Sequence, residues 1–459
     1  MFVGCHEDEA AVLGSPTAVS QVTVPTETAV PLNATTEPTP TVTETAVSPQ
    51  TFAPTSTPTL PPPPTGSVLF LWDSEAPPIE GAERNHTLYL AQPGESVAMW
   101  DVQPVLNDLF GFSILGVSPG NTKLMFTNIE DANGDGKVSD ASVDRGGDGY
   151  VLYVYEFASG QSEKLPIGLY NPHNLAWLSD ESLTYRGGVT VYLVHTDGLL
   201  GQKIAVFPET IHWIAPSPDG SLIAVNSSGL TSFIDVDTGE LISVTGQLGS
   251  ISVDAVWSPD GQWLALNHRN DQLLLINVDT LEVSLVEAAE EVSYVSWSPD
   301  SLQLLLVKIE EEISTLSFLD PQSLTVSAIM DVPGAIVVQG SREGLAIPFP
   351  MSGTFWSSDG SRIALAFSEQ DVTKVATLDM STMEITEIWQ RADVAEARIW
   401  GWSPDGNWIL FSLQQAPHHS ELDILHWQGG AAYPIFMADE TFPPRSVMWL
   451  SPPVINPEN

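Results

Sequence analysis

An all-β fold of repeated four-stranded units, closed into a ring, is what the sequence predicts. Three features predict it. A Trp-Ser-Pro-Asp-Gly type string recurs along the chain, as in AVWSPDGQWLALN (255–267), VSWSPDSLQLLLV (295–307), TFWSSDGSRIALAF (354–367) and WGWSPDGNWILFS (400–412). Between copies lie short alternating runs rich in β-branched and aromatic residues, which favour strands over helices. Apolar residues make up 43% of the 459, with 14 Trp, so core material is ample. Together these predict a β-propeller.

The repeat sets the count. Weaker copies are IAPSPDGSLIAVN (214–226), LAWLSDESLTYRG (175–187), LGVSPGNTKLMFT (115–127) and VMWLSPP (447–453). Aligned at the Trp, the anchors are Val117, Trp177, Pro216, Trp257, Trp297, Trp356, Trp402 and Trp449, spaced 60, 39, 41, 40, 59, 46 and 47 residues. That gives eight blades, with seven as the alternative because the end anchors are degenerate. One unit reads as SVDAVW, QWLALNH, QLLLINV and EVSLVE, four short strands. In the turn, Pro presets φ, Asp bonds back to the backbone and Gly supplies positive φ. The Asp anchors are Asp219, Asp260, Asp300, Asp359 and Asp405. Each Trp ends the first strand and is expected to pack between neighbouring blades. No room remains for three strands after Trp449. Three strand-like runs, 67–73, 86–92 and 96–102, precede the first anchor. The C-terminal strand is therefore expected to join them, closing the ring and leaving no open sheet edge.

The WSPDG units resemble the propeller repeats of TolB-like proteins, which are related to WD-repeat propellers. The resemblance covers residues 67 to 453. It implies a propeller fold, a periplasmic setting and a protein-binding role, since TolB binds a peptidoglycan-associated lipoprotein. TolB itself joins an α/β domain to a six-bladed ring. Here a Thr/Pro tract precedes the repeats, and the repeats are more numerous.

That tract is a separate composition zone. Residues 15–65 hold 15 Thr, 12 Pro, three Glu and neither Lys nor Arg. With donors removed and no helix period, it reads as an extended linker, reaching roughly 150 Å at about 3 Å per residue. Such tracts also serve as O-glycosylated stalks. Before it, Phe2-Val3-Gly4-Cys5 looks like the end of a bacterial lipobox, with Phe where Leu is usual. The basic start and longer apolar stretch of a full signal are missing, so the chain reads as beginning inside its own signal. Cys5 is the expected lipidation site. The domain reading is thus a leader at 1–14, a linker at 15–65, a propeller at 66–453 and a tail at 454–459.

Charge narrows the partners. Acidic residues number 58 and basic ones 15, for a net charge of −43. Nucleic acid and anionic lipid both need clustered Lys and Arg, so neither is an expected partner. The single Cys excludes internal disulfides and Cys-rich zinc sites. No apolar run reaches the length of about 18 residues needed to span a membrane as a helix.

Two segments bear metal-type residues. In DANGDGKVSDAS (131–142), Asp131, Asn133 and Asp135 take positions 1, 3 and 5 of a calcium loop. Gly136 makes the turn, the Lys137 carbonyl is a ligand, Val138 anchors the loop and Ser139 takes position 9. Ser142 replaces the usual bidentate Glu at position 12, so Asp140 or Asp144 is the candidate substitute. Structural calcium is the expected cofactor, and an unmetallated turn is the alternative. His418, His419, Glu421 and Asp423 cluster in QQAPHHSELDI. Adjacent His residues on a strand point to opposite faces, so this stretch reads as a solvated turn between the second and third strands. EAAEE (287–291) and IEEEI (309–313) also read as solvated turns. The apolar insertion 335–353 reads as a cap on one face, a partner contact, or strands not recognised as such.

No G-x-S-x-G, H-E-x-x-H, P-loop or dinucleotide fingerprint occurs. The expected function is non-catalytic: an extracytoplasmic binding or scaffold module for an envelope protein, peptide or glycan, held at the membrane only by lipid at Cys5. The alternative is an enzyme at the central channel, a metal-assisted lyase or hydrolase on polysaccharide or peptide.

Overall fold

A computed structural model describes residues 61–73, 85–110, 113–130, 149–169, 175–197, 201–244, 252–268, 272–287, 289, 292–310, 313–334, 336, 356–415, 419–438 and 444–451. The described residues contain strands and turns and no α-helix. They form an eight-bladed β-propeller, each blade an antiparallel meander.

Blade 1 holds β1 (Ser67–Asp73), β2 (Asn85–Pro93) and β3 (Trp100–Phe110). Blade 2 holds β4 (Ser113–Val117), β5 (Lys123–Glu130), β6 (Gly149–Glu156) and β7 (Gln161–Leu169). Blade 3 holds β8 (Leu175–Ser179), β9 (Ser182–Gly187), β10 (Thr190–His195) and β11 (Gln202–Val206). Blade 4 holds β12 (Ile211–Pro216), β13 (Leu222–Ser227), β14 (Leu230–Asp235) and β15 (Leu241–Ser243). Blade 5 holds β16 (Ser252–Trp257), β17 (Trp263–His268), β18 (Gln272–Asn277) and β19 (Val283–Val286). Blade 6 holds β20 (Tyr294–Trp297), β21 (Leu304–Ile309), β22 (Ile313–Asp320) and β23 (Thr325–Pro333). Blade 7 holds β24 (Arg362–Glu369), β25 (Val372–Asp379) and β26 (Glu384–Arg391). Its inner position is taken by two isolated bridges, Trp356 to Ile363 and Ile336 to Phe367. Blade 8 holds β27 (Val394–Trp402), β28 (Trp408–Gln415), β29 (His419–His426) and β30 (Ala432–Ala438).

The last strand, β31 (Arg445–Leu450), pairs with β1, with Val68 opposite Trp449. It supplies the inner strand of blade 1, and the sheet order is β3-β2-β1-β31. The ring closes as the repeat count requires. First strands of successive blades touch, β4 with β8, β8 with β12 and β27 with β31, so they line the centre.

One strand differs from the sequence reading. The third strand of blade 1 is Trp100–Phe110, not 96–102. Residues 96–99 form a tight turn, in which the Met99 amide donates to Ser96 and the Gly94 amide to Met99. Val97 is fully buried there, so its apolar character reflects packing and not a strand period.

The core is distributed. Among the described residues, buried apolar side chains fall into eight clusters, each joining two consecutive blades. In β17, Leu264 and Leu266 face blade 4, while Ala265 faces blade 6. Both faces of each sheet are covered. This explains why the second strands read as nearly unbroken apolar runs.

The recurrent Trp sits in these seams. Trp177 Nε1 donates to the Gly116 carbonyl at 2.9 Å and Trp257 Nε1 to Ala215 at 3.0 Å. Trp297 Nε1 donates to Val256 at 3.1 Å and Trp356 Nε1 to Ser296 at 3.3 Å. In all four the acceptor immediately precedes the anchor residue of the preceding blade. The backbone supplies the acceptor, so Val117 and Pro216 serve in that position as well as Trp does. Trp402 lies in the seam between blades 7 and 8. Trp449 packs in the closing seam, 6.2 Å from Trp100, and its indole nitrogen has no partner among the described residues.

The turn after each Trp closes on itself. Ser258 Oγ donates to Asp260 Oδ1 at 2.6 Å, Gln262 N–H to the same oxygen at 3.0 Å, and Trp263 N–H to Ser258 Oγ at 2.9 Å. The pattern repeats at Ser298 and Asp300, Ser357 and Asp359, and Ser403 and Asp405. Ser217 and Asp219 follow it too. Gly220, Gly261, Gly360 and Gly406 hold positive φ there. Ser301 takes the same conformation at φ 63°, and its hydroxyl receives the Asp260 N–H at 3.0 Å.

Trp257→Phe or Trp297→Phe removes one inter-blade hydrogen bond and some buried ring. Each is expected to cost about 1–3 kcal/mol by urea unfolding. Trp449→Phe is expected to cost less, and equal losses at all three would show that the indole bond is not the source of the effect. In the turn, burial works against the Asp359 charge, but Ser357, the Ser361 N–H and hydroxyl, and Arg362 outweigh it and hold the carboxyl down at about 2. This support is present above the ordinary carboxylate pKa and is lost as pH falls from about 4 through about 2. Asp359→Asn should flatten that part of the acid limb; an unchanged limb in urea midpoints between pH 5 and 2 would contradict it.

Candidate functional site

A meander ring has two unlike faces. Connections from first to second strand and from third to fourth open on one side, here termed the turn face. Connections from second to third strand, and from one blade to the next, open on the loop face.

On the turn face, turns close on their own side chains, and Lys123 pairs with Glu181 between blades 2 and 3 at 3.0 Å. Besides the five turns above, the third-to-fourth turns use the same device. Asp235 Oδ1 accepts from Thr238 N–H at 2.8 Å, Asn277 Oδ1 from Thr280 N–H at 2.9 Å and Asp379 Oδ1 from Ser381 N–H at 2.8 Å. These side chains are spent on their own turns.

One insertion opens on the loop face and the other interrupts the inner-strand position of blade 7. Residues 131–148 connect β5 to β6, and 337–355 separate the two bridges of blade 7. Asp131, Asn133, Asp135, Lys137, Ser139, Asp140 and Asp144 lie outside the described residues, as does Cys5. Of the 335–353 insertion only Ile336 is described. It is buried against blade 6, and its amide donates to Ser314 Oγ at 2.9 Å. Glu310, from the acidic run 309–313, pairs with Lys308 at 3.1 Å.

Charged ladders cross the strands on this face. In blade 2, Tyr153 donates to Glu130, and Lys164 reaches Glu130 at 2.6 Å. The Lys164 and Tyr153 hydrogen bonds hold the Glu130 carboxyl low. Burial, then Glu130, pushes the Tyr153 phenol up to about 12. In blade 7, Lys374 lies between Glu369 at 2.6 Å and Glu387 at 2.8 Å. These two bonds raise its pKa.

The densest ladder spans blades 7 and 8. Arg391, at the end of β26, donates to both oxygens of Asp393 at 3.0 Å and to Glu421 at 3.0 Å. Glu421 also receives Gln415 Nε2 at 2.7 Å and meets His419 Nε2 at 3.0 Å. The bond to Asp393 leads the effects that raise the Arg391 pKa. Below them on β29 lies Asp423, 4% exposed. Burial, then the Glu421 charge, pushes its carboxyl up to about 7.

This corrects the reading of 418–423 as a solvated turn. His419, Glu421 and Asp423 lie on a strand, and His418 lies outside the described residues. The signal was present in the alternation. Ser420, Leu422 and Ile424 are fully buried on one side of β29, so the intervening polar residues share the other. Arg391 carried no local signal, because it joins the cluster from the neighbouring blade. Among the described residues no set of three His, Cys, Asp or Glu side chains is arranged to hold a metal. Near the centre, Glu396, Arg398, Ser412 and Gln414 line a cavity of about 10 Å³. That is room for about one water, not an organic ligand.

No protein-family model matches the chain. A stretch of 119 residues is 29% identical to WD repeat-containing protein AAC3 of Dictyostelium discoideum, covering 26% of this chain. The match spans 24% of that relative, about a quarter of its length. Among solved structures, a eukaryotic initiation factor is similar at a TM-score of 0.52 and 14% identity, over 84% of this chain and 98% of that one. TolB from Acinetobacter baumannii is similar at a TM-score of 0.31 and 15% identity, over 72% of this chain and 82% of that one. The likeness is one of fold, and the chain is an eight-bladed β-propeller.

Proposed function

We propose that this chain is an extracytoplasmic, non-catalytic binding or scaffold module whose partner docks on the loop face. The partner is an envelope protein, a peptide or a glycan. Cys5 carries the lipid anchor, the Thr/Pro segment 15–65 is the stalk, and calcium orders the loop that begins at Asp131. One observation carries the docking assignment. The Ser and Asp side chains of the turn-face turns are consumed by those turns, whereas the loop face bears the 131–148 connection and the ladders built on Glu130, Lys374 and Arg391. Loops on a rigid frame suit recognition, although fold does not fix function.

Exposed apolar tips give the test. Leu230 and Ile313 begin third strands on the loop face and are 54% and 45% exposed. Leu302 sits in a turn-face turn and is 62% exposed. With the full chain and partner purified from envelope extract, Leu230→Glu and Ile313→Glu are expected to weaken binding at least about tenfold, a loss of about 1.4 kcal/mol. Leu302→Glu is expected to leave it unchanged. The reverse pattern would move the site to the turn face, and turnover of a polysaccharide or peptide would move the chain into the enzyme class. Calcium is tested separately: the full chain should melt at higher temperature with calcium than with chelator, and an unchanged melt removes the metal from the proposal.

A further inference from the structure

We infer that the seam between blades 7 and 8 is a proton-controlled joint, closed when the buried Asp423 is protonated and loosened at its loop-face end when that proton leaves. The inference is independent of the partner proposed above.

Geometry carries it. Asp423 projects from β29 into the cluster that joins the two blades. Its neighbours across the sheet are Phe411 on β28 and Pro434 on β30. Proline has no N–H to offer. Phe411 is fully buried and meets Trp389 of β26 edge to face at 5.4 Å. Leu413, Leu425 and Val375 complete the apolar surroundings. Asp423 Oδ1 has no hydrogen-bond partner among the described residues.

The charged neighbours do not rescue it. On its own strand stand Glu421, a like charge, and His419, which meets Glu421 at 3.0 Å. Arg391 of β26 is the cation facing this end of the seam, and it pairs with Asp393 and Glu421. Lys374 of β25 is held between Glu369 and Glu387. Gln415 of β28 is uncharged and donates to Glu421. A carboxylate in apolar surroundings, beside a like charge and without a cation of its own, favours its neutral form. The upward push on the Asp423 carboxyl agrees in direction.

The sign follows from linkage. The folded chain keeps a proton that the unfolded chain gives up above the ordinary carboxylate value of 3.8. This support is complete below that value, declines as pH rises and is lost through about 7. The joint is therefore tightest in mild acid.

The test uses the full chain, with Asp423→Asn as an uncharged mimic of the protonated side chain and Asp423→Leu as a second. Urea unfolding from pH 5 to 9 is expected to show the folding constant of Asp423→Asn, relative to the unmodified chain, rising at least about tenfold. The rise should run from pH 5 and level off above about 7. Hydrogen exchange in the β29 segment, corrected for intrinsic rates, should accelerate above pH 7 in the unmodified chain only. Parallel stability curves for both chains would overturn the inference, because any remaining pH dependence would belong to His419 or another group. So would a relative folding constant already level at pH 5. Should neither variant fold, infrared spectra of the unmodified chain labelled with ¹³C-aspartate decide the matter. A protonated aspartic C=O band persisting at pH 6 supports the joint, and its absence overturns it.

Discussion

Packing across seams is the interaction on which everything else here rests. A four-stranded blade has two apolar faces and covers neither. Leu264 and Leu266 are buried by blade 4, and Ala265 by blade 6. The fold is stable only as a whole ring, because each blade completes the core of two neighbours. The Trp indole adds direction to this non-directional term. By donating to a backbone carbonyl of the preceding blade, it sets the height of one inner strand against the next.

The turn and the seam divide the labour of the repeat. Ser and Asp make each tip a closed hydrogen-bonded unit, while Pro and the residue at positive φ set its path. Apolar strand residues then need only alternate correctly to reach the right seam. Because the turns fix one face, variation is tolerated on the other. The 131–148 connection enters there between β5 and β6, whereas 337–355 interrupts the inner-strand position of blade 7, which is left with two isolated bridges. The closing seam has no covalent continuity from blade 8 to β1, and it is dense in aromatic contacts. Phe70 meets Tyr89 and Phe436, each at 5.3 Å, and Trp72 lies 4.9 Å from Phe436. Such contacts add to area burial, and they hold the point where the ring is joined only by strand pairing.

What was legible in the sequence was local chemistry repeated in register. The four strands of blade 5 lie within a residue or two of those read from alternation and turn residues, and the partner of the C-terminal strand followed from counting. Illegible features depended on distant neighbours. β3 is an outer strand containing Pro104, Asn107 and Asp108, so its alternation is broken, whereas the run 96–102 overlapping its start has the apolar pattern of a strand. The polar string around Asp423 resembles a loop by composition; its alternation with Ser420, Leu422 and Ile424 marks a strand, but not the apolar enclosure of Asp423 between blades 7 and 8. Arg391 and Glu421 are 30 residues apart and meet only through the seam. Local rules find elements, and pairs of blades make sites.

The place of β31 has a consequence for synthesis. Its partner β1 leaves the ribosome early, yet waits for the last strand before its inner edge is covered. During that interval blades 2 to 8 can stack in order, but the ring remains an open arc with an exposed edge at each end. Exposed strand edges recruit other chains. The nascent protein thus has an interval of vulnerability that ends only when β31 emerges, and a holding chaperone would be most useful then.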